Sequence, residues 1–324
     1  MPMKLLLCYF LLFIPAFAFS QKADTLLHKL DSLDKKADTV KQQNVITPQA
    51  YNDSTKITLK NYFVLLESDF KQQITAPFTT TKQGWIKVAK FGVVAGALMF
   101  VDEPVQKKAV NFRKANKFLT NTSLYITNTG GSYEAITLAA MATIGYVFKF
   151  EKARATALLA SQAYITSGVF NQVLKHIAGR QRPSVYNKDQ VEAAPTFKGP
   201  FAKGGTDQNG KKLATSFPSG HATAAFAAAT VYAMEYKDKP LIPIISYTGA
   251  SLICLSRITE NQHWVTDVFV GAGLGYLSGR QVVNNYHRYA KIQDAKLKKD
   301  NLSFNFQYFQ GTFIPEIIYR PGNK

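Results

Sequence analysis

The chain of 324 residues carries 39 Lys and Arg against 21 Asp and Glu, a formal net charge of +18, and 46% of its residues are apolar. That apolar fraction excludes a wholly disordered chain, and the length allows one large domain or two small ones. The positive excess suits nucleic acid, an anionic membrane surface or phosphorylated substrates. The basic residues are spread along the chain without a long Lys/Arg block, so nucleic acid is not an expected partner.

The first twenty residues have the layout of a secretory signal. Lys4 supplies a positive start, Leu5 to Ala16 an apolar core, and Ala16-Phe17-Ala18 or Ala18-Phe19-Ser20 a small-residue cleavage pattern. A short membrane anchor is the alternative, although the apolar run is short for a span of ~20 residues. Cleavage before Gln21 removes Cys8 and leaves Cys254 alone, so the exported, periplasmic fold is expected to hold without an internal disulfide.

Residues 21–84 are expected to form an arm. Gln21 to about Ser54 is polar and charge-mixed, with Leu26, Leu27, Leu30 and Leu33 hinting at one helix. Ile57, Leu59, Phe63, Leu66 and Phe70 then make an apolar stripe ending near Ala76-Pro77, which predicts a helix lying across the main body.

Residues 85–291 are expected to be the functional domain. Six apolar helical segments follow one another, approximately Trp85–Val101, Glu134–Phe150, Ala153–Ala178, Ser219–Tyr236, Leu241–Leu255 and His263–Val283. Ala and Gly recur in them, at Ala222 to Ala229 and Gly271 to Gly279, as close helix packing requires. No strand–helix alternation appears, so the expected fold class is all-α, a six-helix bundle. Between the third and fourth segments lies a Gly/Lys-rich loop, Ser184 to Thr215, whose length suits a lid or recognition element. Its lysines and its aromatic Tyr186, Phe197 and Phe201 suit either a lipid surface or a solvated lid that concentrates anionic substrates.

Most unbroken apolar runs fall short of the ~20 residues a membrane span needs. Charge gives a second argument. After an exported N-terminus, six spans would place the basic links Lys149, Lys152, Arg154 and Lys237, Lys239 outside, against the positive-inside rule. A soluble exported bundle removes the conflict, as does a bundle whose weak first segment lies on the membrane. Residues 292–324 form a tail in which Leu302, Phe304, Phe306 and Tyr308 alternate with polar residues, the period of a strand.

Three clusters carry possible chemistry. Ser216-Phe217-Pro218-Ser219-Gly220-His221 precedes a strongly helical run, with Ser219 a good N-cap and Gly220 allowing a ligand to approach the backbone. A helix N-terminus favours an anion, phosphate above all. Lys175 and Arg182, seven apart, return to one helix face before Pro183 stops the helix; they suit one shared anion, or a basic end complementing the helix dipole. His263 and Asp267, four apart and preceded by Ser256-Arg257, suit a carboxylate-oriented imidazole acting as nucleophile or base, or a local helix-stabilising pair. A metal site there would need two more ligands, and Glu260 is the only acidic neighbour, so no metal is expected. His28, His176 and His287 have no motif partner and are expected to be structural or solvated.

Together these clusters resemble the signature of the type-2 phosphatidic acid phosphatase and vanadium haloperoxidase superfamily: Lys175-x6-Arg182-Pro183, Pro218-Ser219-Gly220-His221 and Ser256-Arg257-x5-His263-x3-Asp267. The resemblance covers roughly Trp85 to Val283. It implies that Lys175, Arg182 and Arg257, with the Ser219 hydroxyl and the Gly220 N–H, bind the phosphoryl oxygens. It implies that His263 attacks phosphorus to form a phosphohistidine, with Asp267 steadying its charge, and that His221 protonates the leaving oxygen and then activates water. The implied enzyme is a phosphatase without metal or other cofactor, acting on phosphorylated lipids such as phosphatidate, phosphatidylglycerophosphate or isoprenoid diphosphate, with a membrane surface as an implied partner. A soluble non-specific acid phosphatase and a vanadate-dependent haloperoxidase are the implied alternatives.

Overall fold

The computed structural model describes residues 27–30, 32, 50–184, 189–191, 193–200, 214–297, 301–309 and 312–320. The expected signal segment and much of the expected lid, Tyr186 and Phe201 included, lie outside the described residues.

The helices are α1 (Leu59–Thr79), α2 (Lys82–Met99), α3 (Asp102–Ala115), α4 (Lys117–Val147), α5 (Glu151–Ala178), α6 (Gly220–Glu235), α7 (Leu241–Thr259) and α8 (Val265–Leu297). The six expected segments correspond to α2 and α4 to α8, and the expected arm helix to α1. Thr58, Thr81, Asn116 and Ser219 start α1, α2, α4 and α6 as side-chain N-caps, each satisfying a backbone N–H that has no partner within its helix. α3 was not expected from the sequence. Its buried stripe is Asp102, Gln106, Val110 and Arg113, which is mostly polar and gives little apolar periodicity.

α6 sits at the centre, packed against α5, α7 and α8. Its inward residues are small: Ala222, Ala225, Ala227, Ala228 and Ala229 are all buried. α8 approaches most closely. Gly271, Gly275 and Gly279 recur every fourth residue, and a Cβ on them would stand 2.6, 2.2 and 2.6 Å from the carbonyl oxygens of Ser219, Thr223 and Ala227. Only bare glycine backbone fits there. This contact sets the N-termini of α6 and α8 side by side, with the Ser219 N–H donating to the Asp267 carbonyl at 2.9 Å.

α1 docks on α8 through a polar seam. Asn285 and Gln281 donate to Asp69 at 2.9 and 3.2 Å, and Gln72 donates to Asn285 at 3.0 Å. At the far end of the bundle His287 contacts Glu235 at 2.9 Å, and Glu235 also accepts from Tyr51. His287 is therefore a buried structural partner, while His176 is exposed on α5.

α7 is long and apolar enough to cross a membrane, and 33% of its most apolar window is buried in the protein. The expectation of short apolar runs is thus corrected for this helix. Leu241, Ile244, Ile245, Leu252 and Leu255 line its exposed side. α2 and α3, bent by 60° at their junction, reach the same measure when taken together. Beyond α8, β1 (Asn301–Phe309) pairs antiparallel with β2 (Thr312–Arg320), from Asn301 opposite Arg320 to Phe309 opposite Thr312. The alternating tail is one arm of this hairpin. Its partner carries Pro315 and an Ile317-Ile318 pair, which obscure the period of two.

Candidate active site

The site lies where three chain reversals meet: the end of α5, the start of α6 and the link from α7 to α8. Gly179 caps α5 in the left-handed conformation, φ 54°, so the helix stops before Pro183 and Arg182 lies beyond it. The sequence expectation of Lys175 and Arg182 on one helix face is therefore replaced by a turn that folds Arg182 back. The two cations still converge. Lys175 Nζ donates to the Thr215 carbonyl at 2.9 Å, and Arg182 Nη2 lies 3.4 Å from the same oxygen. Arg182 Nη1 donates to the Gln262 carbonyl at 2.9 Å and lies 3.4 Å from His263 Nε2.

His263 stands just before α8 and is buried. The expected neighbour Asp267 stands beside the ring, its Oδ2 3.7 Å from Nδ1, beyond hydrogen-bond length, and Nδ1 bonds instead to the Ser216 carbonyl oxygen at 2.8 Å. A carbonyl can only accept, so Nδ1 carries the hydrogen and Nε2 keeps its lone pair, facing Arg182. Burial, then the nearby cations Arg182, Lys175 and Arg257 and finally His221, press the His263 pKa well below its usual 6.5. The imidazole is held uncharged.

Asp267 serves the site at one remove. It accepts from the Ser216 hydroxyl, from Arg180 Nη1 at 2.6 Å and from the Trp264 N–H at 2.9 Å. Burial pushes its carboxyl up, and Arg180 and these hydrogen bonds oppose that push.

Arg257 is buried at the end of α7, and its carbonyl accepts from the Gln262 and His263 N–H groups, which tightens the link to α8. Burial and the neighbouring Arg182 bring its guanidinium down to about 10, opposed by Glu260, so it remains a cation near neutral pH. Its buried Nε has no hydrogen-bond partner among the described residues. A buried, incompletely bonded guanidinium beside a second one favours an anion between them.

Gly220 opens α6 next to these cations. A Cβ there would lie 3.6 Å from Asn171 Oδ1 and 4.0 Å from Lys175 Cε. Ser219 is fully buried, and its hydroxyl accepts from the Ala222 N–H at 3.5 Å, the N-cap role expected of it. The Phe217–Pro218 bond is cis. His221, half-buried, lines a cleft of about 260 Å³ between α5 and α6 with Tyr164, Ser167, Gly168, Asn171 and Gln172.

The structure thus gathers Lys175, Arg182, Ser219, Gly220, His221, Arg257, His263 and Asp267 around one region. Sequence reading missed Ser216, Arg180 and Asp102. Ser216 and Arg180 lie inside quoted motifs but looked like spacers, whereas Asp102 is 78 residues from Arg180 and carries no local signal. Phe197, assigned to a lid, packs its ring 4.7 Å from the Arg180 guanidinium and 5.4 Å from the Phe217 ring, so it also builds the wall of the site. No cluster of three or more His, Cys, Asp or Glu suited to a metal ion occurs among the described residues.

Residues 156–291 match the sequence model of the PAP2 superfamily. A 67-residue stretch is 46% identical to lipid A 1-phosphatase of Porphyromonas gingivalis, covering 20% of this chain and 15% of that protein. A 134-residue stretch is 31% identical to diacylglycerol pyrophosphate phosphatase 1 of Saccharomyces cerevisiae, covering 36% of this chain and 46% of that one. The chain spans less than half the length of these curated relatives. A solved structure, described as the first transmembrane PAP2 type phosphatidylglycerolphosphate phosphatase from Bacillus subtilis, is 26% identical, with a TM-score of 0.44 over 65% of this chain and 96% of that chain.

Proposed function

We propose that the protein is a lipid phosphatase of the PAP2 superfamily, whose sequence model residues 156–291 match, working through a phosphohistidine on His263. The observation that carries this reading is His263 Nε2 facing Arg182, with Nδ1 on the Ser216 carbonyl, among the cations Lys175, Arg182 and Arg257 and the N-terminus of α6.

Lys175, Arg182 and Arg257 hold the three non-bridging phosphoryl oxygens, joined by the Gly220 N–H and the α6 terminus that Ser219 caps. These donors are fixed before substrate arrives, so they stabilise charge as it spreads over the oxygens in the transition state. His263 Nε2 forms the bond to phosphorus as the bond to the leaving oxygen breaks. The resulting positive charge on the ring is shared through Nδ1–H with the Ser216 carbonyl and, behind it, Asp267. His221 gives its proton to the leaving oxygen, then takes one from the water that cleaves the phosphohistidine. The cycle returns both histidines to their starting protonation.

The lipid assignment draws on the names of the two relatives, whose substrates carry phosphate or diphosphate on lipid, and on the exposed apolar side of α7. That side supports an association with membrane. A domain division at residues 84 and 291 and export to the periplasm belong to the same proposal.

The test is phosphate release from vesicles carrying phosphatidate, diacylglycerol diphosphate or lipid A, against a soluble aryl phosphate, with and without chelator. Release from at least one lipid in chelator, well above the soluble rate, is expected. Comparable rates on soluble phosphates alone would make the enzyme a non-specific acid phosphatase, and loss in chelator would require a different mechanism.

A further inference from the structure

Arg180 is fully buried, two residues before Arg182, and its side chain has partners of its own. Its Nη2 donates to Asp102 Oδ2 and its Nη1 to Asp267 Oδ1, both at 2.6 Å. Asp102 also accepts from the Thr266 N–H and hydroxyl, each at 2.9 Å, so α3 is fastened to the first turn of α8. The rings of Phe197 and Trp264 cover the guanidinium at 4.7 and 5.8 Å. Ser216 closes a loop of contacts: its N–H donates to the Arg180 carbonyl at 2.9 Å, its hydroxyl to Asp267, and its carbonyl receives the His263 Nδ1–H.

We propose that Arg180, anchored by Asp102, is a positioning residue for His263: it draws the Asp267 carboxylate away from the imidazole, leaving the ring oriented by the Ser216 carbonyl and uncharged. This rests on the reading of His263 as nucleophile.

The physical reason is competition for one carboxylate. Asp267 without Arg180 would be a buried anion with an uncompensated charge 3.7 Å from Nδ1. It would pull the imidazole towards itself and favour imidazolium, which has no lone pair with which to attack. The fork of the guanidinium holds Asp267 on one arm and Asp102 on the other, a geometry that a lysine cannot copy. The groups facing His263 are Lys175 and Arg182 from the α5 end, His221 from α6, Arg257 from α7 and Asp267 from α8. Lys175, Arg182, His221 and Arg257 press the ring towards neutrality; among the described residues Asp267 is the anion next to it, at 3.7 Å, and Arg180 pairs with that anion at 2.6 Å. Glu260, beside Arg257, is paired with Arg113 at 3.2 Å.

The test uses the full chain with ¹⁵N-labelled histidine. Arg180→Gln, Asp267→Asn and the double variant are compared with the wild type, with circular dichroism checking the fold and His263→Ala assigning the signal. His263 in the wild type should stay neutral with its hydrogen on Nδ1 well below pH 6.5. Arg180→Gln should titrate at least one pH unit higher, and the double variant should return to the low midpoint, because Arg180 acts only through Asp267. On a soluble aryl phosphate, Arg180→Gln should lose kcat about tenfold or more with KM within twofold, and its acid limb should follow the NMR midpoint. The double variant should be no slower than Asp267→Asn. A folded Arg180→Gln with the wild-type midpoint overturns the proposal. So does a double variant tenfold slower than Asp267→Asn, or one whose midpoint departs from that of Asp267→Asn; these arms also decide the matter if Arg180→Gln alone does not fold. A wild type that shows the expected titration but releases no phosphate would contradict the function and leave this positioning intact.

Discussion

His263 is oriented by Ser216: its Nδ1 lies 2.8 Å from the Ser216 carbonyl oxygen, nearly an ångström closer than the 3.7 Å to Asp267. A neutral acceptor fixes the tautomer without raising the basicity of the ring as a directly bonded carboxylate would. Burial and the cations Arg182, Lys175 and Arg257 then keep the ring unprotonated.

Activity in acid follows from this. The pKa of His263 is depressed, so the nucleophile survives at pH values where a free imidazole, with a pKa of about 6.5, is already protonated. The acid limb of kcat/KM should therefore lie below that value. Stability carries the opposite sign. As pH falls through about 6.5 the unfolded chain takes up a proton on His263 that the folded chain refuses, so stability is lost from there down towards the folded value. A pH–rate profile alongside denaturant melts at matched pH checks both. An acid limb above pH 6.5 that disappears in no other variant would contradict it.

Arg182→Ala and Arg257→Ala should each lower kcat by about a hundredfold, the scale seen when one preorganised charge donor is removed. Arg→Lys should restore little at either position, because a point charge cannot span two phosphoryl oxygens as the guanidinium fork does. Orthovanadate binding, measured by calorimetry, should weaken in parallel. Full recovery by Lys would reduce both arginines to simple counter-charges.

The glycine stripe on α8 is the most direct test of the packing that builds the site. In Gly275→Val the new Cβ would meet the Thr223 carbonyl at 2.2 Å and the Ala227 nitrogen at 2.8 Å, both backbone atoms that cannot swing aside. The expected loss is about 1–3 kcal/mol or more, with the α6 and α8 termini pushed apart and activity reduced. The same substitution at Gly96 of α2, where a Cβ meets nothing within 4 Å, should be mild by comparison. Thermal melts of the two variants separate the cases.

Legibility in the sequence followed local pattern. α6, α7 and α8 announced themselves through unbroken apolar and small residues, and Ser219, Gly220, His221, His263 and Asp267 stood in compact motifs. α3 did not, because the face it buries is Asp102, Gln106 and Arg113, and a polar buried face has no hydrophobic period to detect. The Asp102–Arg180–Asp267 chain joins residues 78 and 87 positions apart, and no spacing rule reports on such a meeting. The end of α5 was misread for a different reason. Pro183 is an obvious helix breaker, but Gly179 had already turned the chain by its positive φ, and beyond it Arg180 reaches Asp102 and Asp267 while Arg182 reaches Gln262 and His263.

Phe197 now makes a different prediction from the one its position in a lid suggests. Its ring covers Arg180 and meets Phe217 edge-on, so Phe197→Ser should admit water to the buried ion pair. Activity should fall several-fold on a soluble aryl phosphate and on lipid vesicles alike. A loss confined to vesicles would show that the ring serves the membrane surface instead.

The central claim, nucleophilic attack by His263, is tested by trapping. Wild-type enzyme turning over a ³²P-labelled substrate and quenched in alkaline detergent should retain label that survives base, is released by mild acid and maps to His263. His263→Ala, folded by circular dichroism, should retain no label and should turn over at least a thousandfold more slowly, since no other positioned nucleophile replaces the imidazole. Label on a serine or on His221, or near-normal turnover in His263→Ala, would contradict the account.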